Sequence, residues 1–214
     1  MTLFAAASLT DVLSELAGRF REPVRTVFAG SGEVVRQVLR GAPADLVALA
    51  DPLWMDRLAA AGRIRVPSRV VLATNALVVI APADRAPMEF AWRGRIAIGE
   101  PDSVPAGRYA RDMMRSMGVW DAAQPRIVTA ADVRAVRSFV ARGEVDLGVV
   151  YVSDTLGFGD VRVVASPPPA VQPDIVYPAA LTTGGQAAAA DMMTFLRSAE
   201  AQAVFARHGF RAGR

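Results

Sequence analysis

The sequence predicts an α/β protein built on parallel sheets with helices on both faces. Short, almost wholly apolar runs alternate with helical patterns along most of the chain, and small or polar residues stand at the junctions between them. The 214 residues are 52% hydrophobic with a mean hydropathy of +0.27, enough to bury a sizeable core in one large domain or two small lobes.

Leu3 to Ala7 reads as the first buried strand. Leu9, Val12, Leu13, Leu16, Ala17 and Phe20 follow at helical spacing, so an amphipathic helix runs straight on from it. Ser8 stands where an N-cap is expected, and Asp11 three residues on completes a capping-box-like pattern. With no basic region ahead of it, MTLFAAASLT is read as folded structure rather than the tail of a secretory signal, and any signal peptide is expected to be absent from this chain.

TVFAGSGEVVRQVLRG (27–42) predicts a strand ending near Ala29, a Gly30-Ser31-Gly32 turn, and a helix with Val34, Val35, Val38 and Leu39 inward. DLVALAD (45–51) is a buried strand, followed by a helix through Trp54, Met55 and Leu58 that stops at Gly62. RIAIGEPDSVPAGRYARDMMRSMG (95–118) repeats the scheme, with Pro105 just inside the helix start, where a missing N–H costs nothing. TAADVRAVRSFVARG (129–143) is a helix with Asp132 near its start, and DLGVVYVSD (146–154) another buried strand. VLATNALVVIAP (71–82) reads as one long strand with no helix directly after it, and IVYPAALTT (175–183) as a second, after the proline-rich SPPPAVQP (166–173). Two such strands suit two passes between lobes: lobe one is 1–76 plus 171–214, lobe two 77–170. AADMMTFLRSAEAQAVFARHGF (189–210) is helical and returns to lobe one.

Composition removes several function classes. A pI near 10.1 suggests a nucleic-acid binder, but it reflects an all-arginine basic set, and the net charge is only +3 with acidic residues interspersed. The absence of cysteine excludes disulfides, thiolate metal sites and a cysteine nucleophile. The single His208 lies in a helix-terminal RHGF segment, where capping or packing is expected rather than base catalysis. The acidic residues show no metal-ligand spacing, and neither a dinucleotide fingerprint nor a P-loop is present. No apolar stretch reaches the roughly 18 residues needed to span a bilayer.

The strand-to-helix junctions are the stronger pattern. Helix N-termini expose backbone N–H groups and positive dipole ends, and in open α/β sheets ligands bind beyond the carboxyl ends of the strands. Ser8 and Ser31 each offer a hydroxyl and an N–H at such a junction, whereas Ala106 and Val133 offer only an N–H. Spacing alone leaves open whether Ser8 and Ser31 are ligand donors or ordinary N-caps.

FAAASLTDVL (4–13), FAGSGEVVRQVLRGAPADL (28–46), VPAGRYA (104–110), ADVRAV (131–136), GVVYVSD (148–154) and VFARHGF (204–210) together resemble the molybdate-binding proteins of bacterial ABC importers. The resemblance runs in order over about residues 3–210. It implies a two-lobed periplasmic-binding-protein fold, each lobe a mostly parallel sheet flanked by helices, closing on one tetrahedral oxyanion in the cleft between lobes. By position it makes Ser8 and Ser31 hydroxyl and N–H donors, Ala106 and Val133 backbone donors, and Tyr151 a hydroxyl donor. The ligand implied is molybdate or tungstate, held by hydrogen bonds with no cofactor and no side chain on the metal. The partner implied is a membrane permease, and the protein a periplasmic or lipid-anchored monomer, not an enzyme. A sulfate carrier, or an enzyme on the same scaffold, are the alternatives.

Two departures stand out. Gly32-Glu33 follows Ser31 where many relatives carry another serine and an uncharged residue, and a carboxylate facing the ligand would repel an anion. Glu33 is expected to point to solvent. LVALAD (46–51) lacks a serine often found before its alanine-aspartate pair, a position expected to lie behind the ligand contacts.

Overall fold

The structure is a computed structural model that describes residues 1–84 and 91–213. In chain order its first elements are β1 (Thr2–Ala6), α1 (Thr10–Arg19), β2 (Arg25–Ala29), α2 (Ser31–Leu39), β3 (Leu46–Ala48), α3 (Pro52–Ala60) and β4 (Val70–Asn75). Next come β5 (Leu77–Pro82), β6 (Ile96–Gly99), α4 (Pro105–Ser116), α5 (Trp120–Ala123), β7 (Ile127–Ala130), α6 (Val133–Ala141), β8 (Leu147–Tyr151) and β9 (Val161–Ala165). Then follow β10 (Ile175–Leu181), α7 (Ala188–Leu196), α8 (Ala199–Arg207) and β11 (Arg211–Ala212). No helix among the described residues is long and apolar enough to cross a membrane.

Two units emerge: Met1–Asn75 with Ile175–Arg214, and Ala76–Asp174. The first holds a six-stranded sheet in the order β11-β4-β10-β3-β1-β2, the second a five-stranded sheet in the order β7-β6-β8-β5-β9. Residues 171–174, assigned from sequence to the first unit, lie with the second. Gln172 explains this by bonding to β5 as a neighbouring strand would. Its Oε1 accepts the Leu77 N–H at 2.9 Å, and its Nε2 donates to the Leu77 carbonyl at 2.8 Å. Ala76 lies there too, its carbonyl accepting the Val152 N–H at 3.0 Å.

Both sheets are mixed rather than mostly parallel. β1 runs parallel to β2 and β3, but β10 is antiparallel to both β3 and β4; β6 runs parallel to β7 and β8, but β5 is antiparallel to β8 and β9. The apolar run 71–82, expected as one strand, is two, because the backbone changes sheets at Ala76. The C-terminal helical segment is likewise two helices, since Ser198 ends one and caps the next by accepting the Ala201 N–H at 3.2 Å.

In the first unit α2 and α3 bury Val34, Val35, Val38, Trp54, Met55 and Leu58 against Phe4 and Val47 of the sheet. Leu39, expected inward, is 37% exposed, because the inward stripe of this short helix ends at Val38. On α1, Val12, Leu13 and Leu16 are fully buried, as the helical spacing predicts. His208 caps the end of α8, and its Nε2 lies 2.7 Å from Glu15 Oε2 on α1. Glu15 Oε1 accepts from Arg19 at 2.6 Å and Arg207 at 2.8 Å. The His208 hydrogen bond, aided by the two arginines, holds the Glu15 carboxyl below the usual carboxylate range.

In the second unit α4 comes close enough to β6 that only glycine fits at the contact. A Cβ on Gly107 would overlap the Gly99 carbonyl, and one on Gly99 would overlap the Val104 side chain. This approach seats the first turn of α4 against the carboxyl end of β6.

Two outcomes are expected. Gly107→Ala forces α4 off the sheet and destabilises the protein by about 3 kcal/mol, read by urea denaturation. Glu15→Gln lowers Tm near neutral pH. A carboxylate with a depressed folded pKa stabilises above its unfolded value of about 4.3 and loses that contribution as pH falls through the folded one. The Tm difference between Glu15→Gln and the unmodified chain therefore closes as pH is taken below about 4.

Candidate functional site

The parallel register places Ser8 and Ser31 side by side. Ala6 pairs with Ala29 at the carboxyl ends of β1 and β2, and each serine follows its strand end by two residues. Neither serine is an N-cap. Ser8 lies in a single 3-10 turn, Ala7–Leu9, and α1 is capped by Leu9 without a side-chain bond. Gly30 caps α2, so Ser31 and Gly32 are already helical rather than a turn. The expected capping box fails because the extra 3-10 turn moves Ser8 out of reach of the α1 amides.

The two hydroxyls differ in their bonding. Ser31 Oγ accepts the Ala50 N–H at 3.1 Å just past β3, which leaves its own proton to donate elsewhere. Ser8 Oγ is buried with no hydrogen-bond partner among the described residues, and the residue is only 3% exposed. A buried, unsatisfied hydroxyl costs about 1–3 kcal/mol. Such a group at the carboxyl edge of a parallel pair is a donor waiting for an acceptor.

Glu33 is engaged away from the serines. Its Oε2 accepts from Arg36 Nε and Nη2 at 3.0 and 2.7 Å, and its Oε1 from Gln37 Nε2 at 2.9 Å. The Gln37 bond and then the Arg36 bond hold its carboxyl below the usual range. With its side chain 42% exposed, Glu33 lies on the outer face of α2 with its charge matched, and the carboxylate departure leaves Ser31 unobstructed.

The second unit repeats the scheme. Gly99 and Ala130 pair at the carboxyl ends of β6 and β7, and β8 runs parallel beside β6 to end at Tyr151. Ala106 is the second residue of α4, and Val133 the first of α6. Their N–H groups are among those with no acceptor inside their own helices. Asp132 caps α6 by accepting the Ala135 N–H at 2.9 Å, leaving the Val133 N–H to others. Ala106, Val133 and Tyr151 are all buried and gather at one edge of this sheet. Each unit thus brings together its own predicted residues.

Sequence reasoning missed the groups behind them, Ala50 beneath Ser31 and the buried Asp154 beside Tyr151, because both act through contacts that no local spacing reveals. Among the described residues no group of three or more His, Asp or Glu side chains is gathered as a metal-ligand set.

With these junction residues at the strand edges of two α/β units, the chain belongs to the bacterial extracellular solute-binding protein family, whose model matches residues 1–211. Within that family it is similar to the molybdate-binding protein ModA of Escherichia coli, 36% identical over 98% of this chain and 88% of the relative. It is also 33% identical to ModA of Haemophilus influenzae over 99% of this chain and 90% of that one. The periplasmic molybdate-binding protein of Azotobacter vinelandii shares the fold with a TM-score of 0.88 at 25% identity, each chain covered over 100% of its length.

The two serines separate in a stability test on the ligand-free protein. Ser8→Ala removes an unsatisfied buried hydroxyl and leaves stability unchanged or slightly raised, whereas Ser31→Ala orphans the Ala50 N–H and costs about 1–3 kcal/mol in urea denaturation.

Proposed function

We propose that this chain is the substrate-binding component of an ABC importer, capturing molybdate outside the cytoplasmic membrane and delivering it to a membrane permease. The observation that carries the reading is the buried, unpartnered Ser8 Oγ beside Ser31 at the carboxyl edge of the first sheet. Its chemistry matches what the molybdate-binding relatives are named for. Ser8 and Ser31 donate from hydroxyl and backbone N–H, Ala106 and Val133 from backbone N–H, and Tyr151 from its hydroxyl.

These donors are all neutral. They suit a fully deprotonated tetrahedral dianion, whereas a protonated one such as hydrogen phosphate needs an acceptor for its proton. Several charge-assisted bonds of roughly 1.5–3 kcal/mol each, less an association cost of at least about 4 kcal/mol, leave around −8 kcal/mol, a micromolar or tighter complex. Tungstate, nearly equal in size, binds as a second ligand, and cavity size excludes sulfate. The protein works as a monomer, free in the periplasm or held by a lipid anchor.

Titration calorimetry of the ligand-stripped protein at neutral pH tests this. One-to-one binding of molybdate and tungstate, with no heat from sulfate, is expected. Ser8→Ala weakens molybdate about tenfold, the loss of one charge-assisted bond, while Glu33→Gln changes affinity by about twofold at most, since an outward, screened charge contributes little. Binding of sulfate alone overturns the ligand, and no binding of any of the three overturns the transport reading.

A further inference from the structure

We propose that Asp154 is a positioning residue for the ligand donors of the second unit, acting through Arg134 and the backbone of Tyr151. The proposal rests on the reading above that Val133 and Tyr151 donate to the oxyanion.

Asp154 has no exposed surface and sits in the 3-10 turn Val152–Thr155 that follows β8. Its Oδ2 accepts the Tyr151 N–H at 3.3 Å. Its Oδ1 lies 3.0 Å from Nε of Arg134, whose side chain is 21% exposed. Arg134 directly follows Val133 in the first turn of α6. One carboxylate therefore ties the end of β8 to the start of α6, the two places from which the second unit presents Tyr151 and Val133. The Phe158 ring backs the clasp, with the Arg134 guanidinium 5.4 Å and the Arg137 guanidinium 3.6 Å from its centroid, and Arg137 is itself paired with Asp160.

The energetics favour a geometric role. A buried ion pair is weak evidence for stability, because desolvation offsets most of the attraction, yet losing one partner leaves a charge uncompensated. The pairing also suits an anion carrier. An unmatched Asp154 would repel a dianion, whereas the matched pair adds no net charge and leaves recognition to neutral donors whose directions it fixes.

Molybdate titration of the full chain in a double-mutant cycle tests this. Asp154→Asn, which loses the charge facing Arg134, is expected to weaken molybdate about tenfold, within the coupling range of neighbouring residues. In a Tyr151→Phe background the further loss falls to about threefold or less, because one of the two donors being positioned is already gone; in a Ser8→Ala background it stays about tenfold. A general loss of stability would weaken binding equally in all three backgrounds, and that result overturns the proposal, as does unchanged affinity in Asp154→Asn. If Asp154→Asn does not fold, Arg134→Gln goes through the same cycle with the same expected and overturning results. Failure of the unmodified chain to bind molybdate overturns the oxyanion reading and this proposal with it, whereas loss of the background dependence overturns the clasp alone.

Discussion

Parallel pairing is the constraint on which the rest depends. Two parallel strands can be joined only by a crossover, so each crossover helix opens just beyond the carboxyl end of a strand. In the first unit β1, β2 and β3 share that edge, which is why Ser8, Ser31 and Ala50 converge on it although they are distant in sequence. In the second unit β6, β7 and β8 do the same for Ala106, Val133 and Tyr151. Backbone N–H groups at that edge come from the topology itself, and the hydroxyls of Ser8, Ser31 and Tyr151 are the polar side-chain groups carried there.

This division of labour explains the charge pattern. The chain carries 24 basic residues, none of them lysine, and many arginines are spent on carboxylates nearby: Arg36 on Glu33, Arg142 on Glu144, Arg207 on Glu15 and Arg134 on Asp154. Matched this way, these arginines add little net charge where they stand. A helix N-terminus supplies about half a positive charge at a fixed position, and unlike an arginine it needs no ordering of a long side chain to do so.

Local periodicity made the helices legible, but not the sheets. The inward face of α1, the glycine stop at Gly62 and the place of Asp132 near the start of α6 follow from spacing and from the φ > 0 tolerance of glycine. Strand direction does not, because an apolar run such as 71–82 reads the same whether it stays in one sheet or changes sheets at Ala76. Ser8 was visible as a junction residue, yet its 3-10 turn was not, since Ser8 and Asp11 satisfy the capping pattern that the structure declines. Asp154 and Gly107 were illegible for a different reason: their roles lie in contacts with Arg134 and Gly99, which come together only in three dimensions.

The place of β10 has a consequence for how the chain is made. Residues 76–174 form a unit from one continuous stretch, complete once Asp174 has been synthesised. The first unit waits longer, because β10 lies between β3 and β4 and does not exist until Leu181 has emerged. Until then β3 and β4 are open strand edges, the feature that invites mispairing with other chains. A nascent chain halted before Ile175 thus carries a finished second unit and an unclosed first one, and the first becomes whole only once β10 has been made.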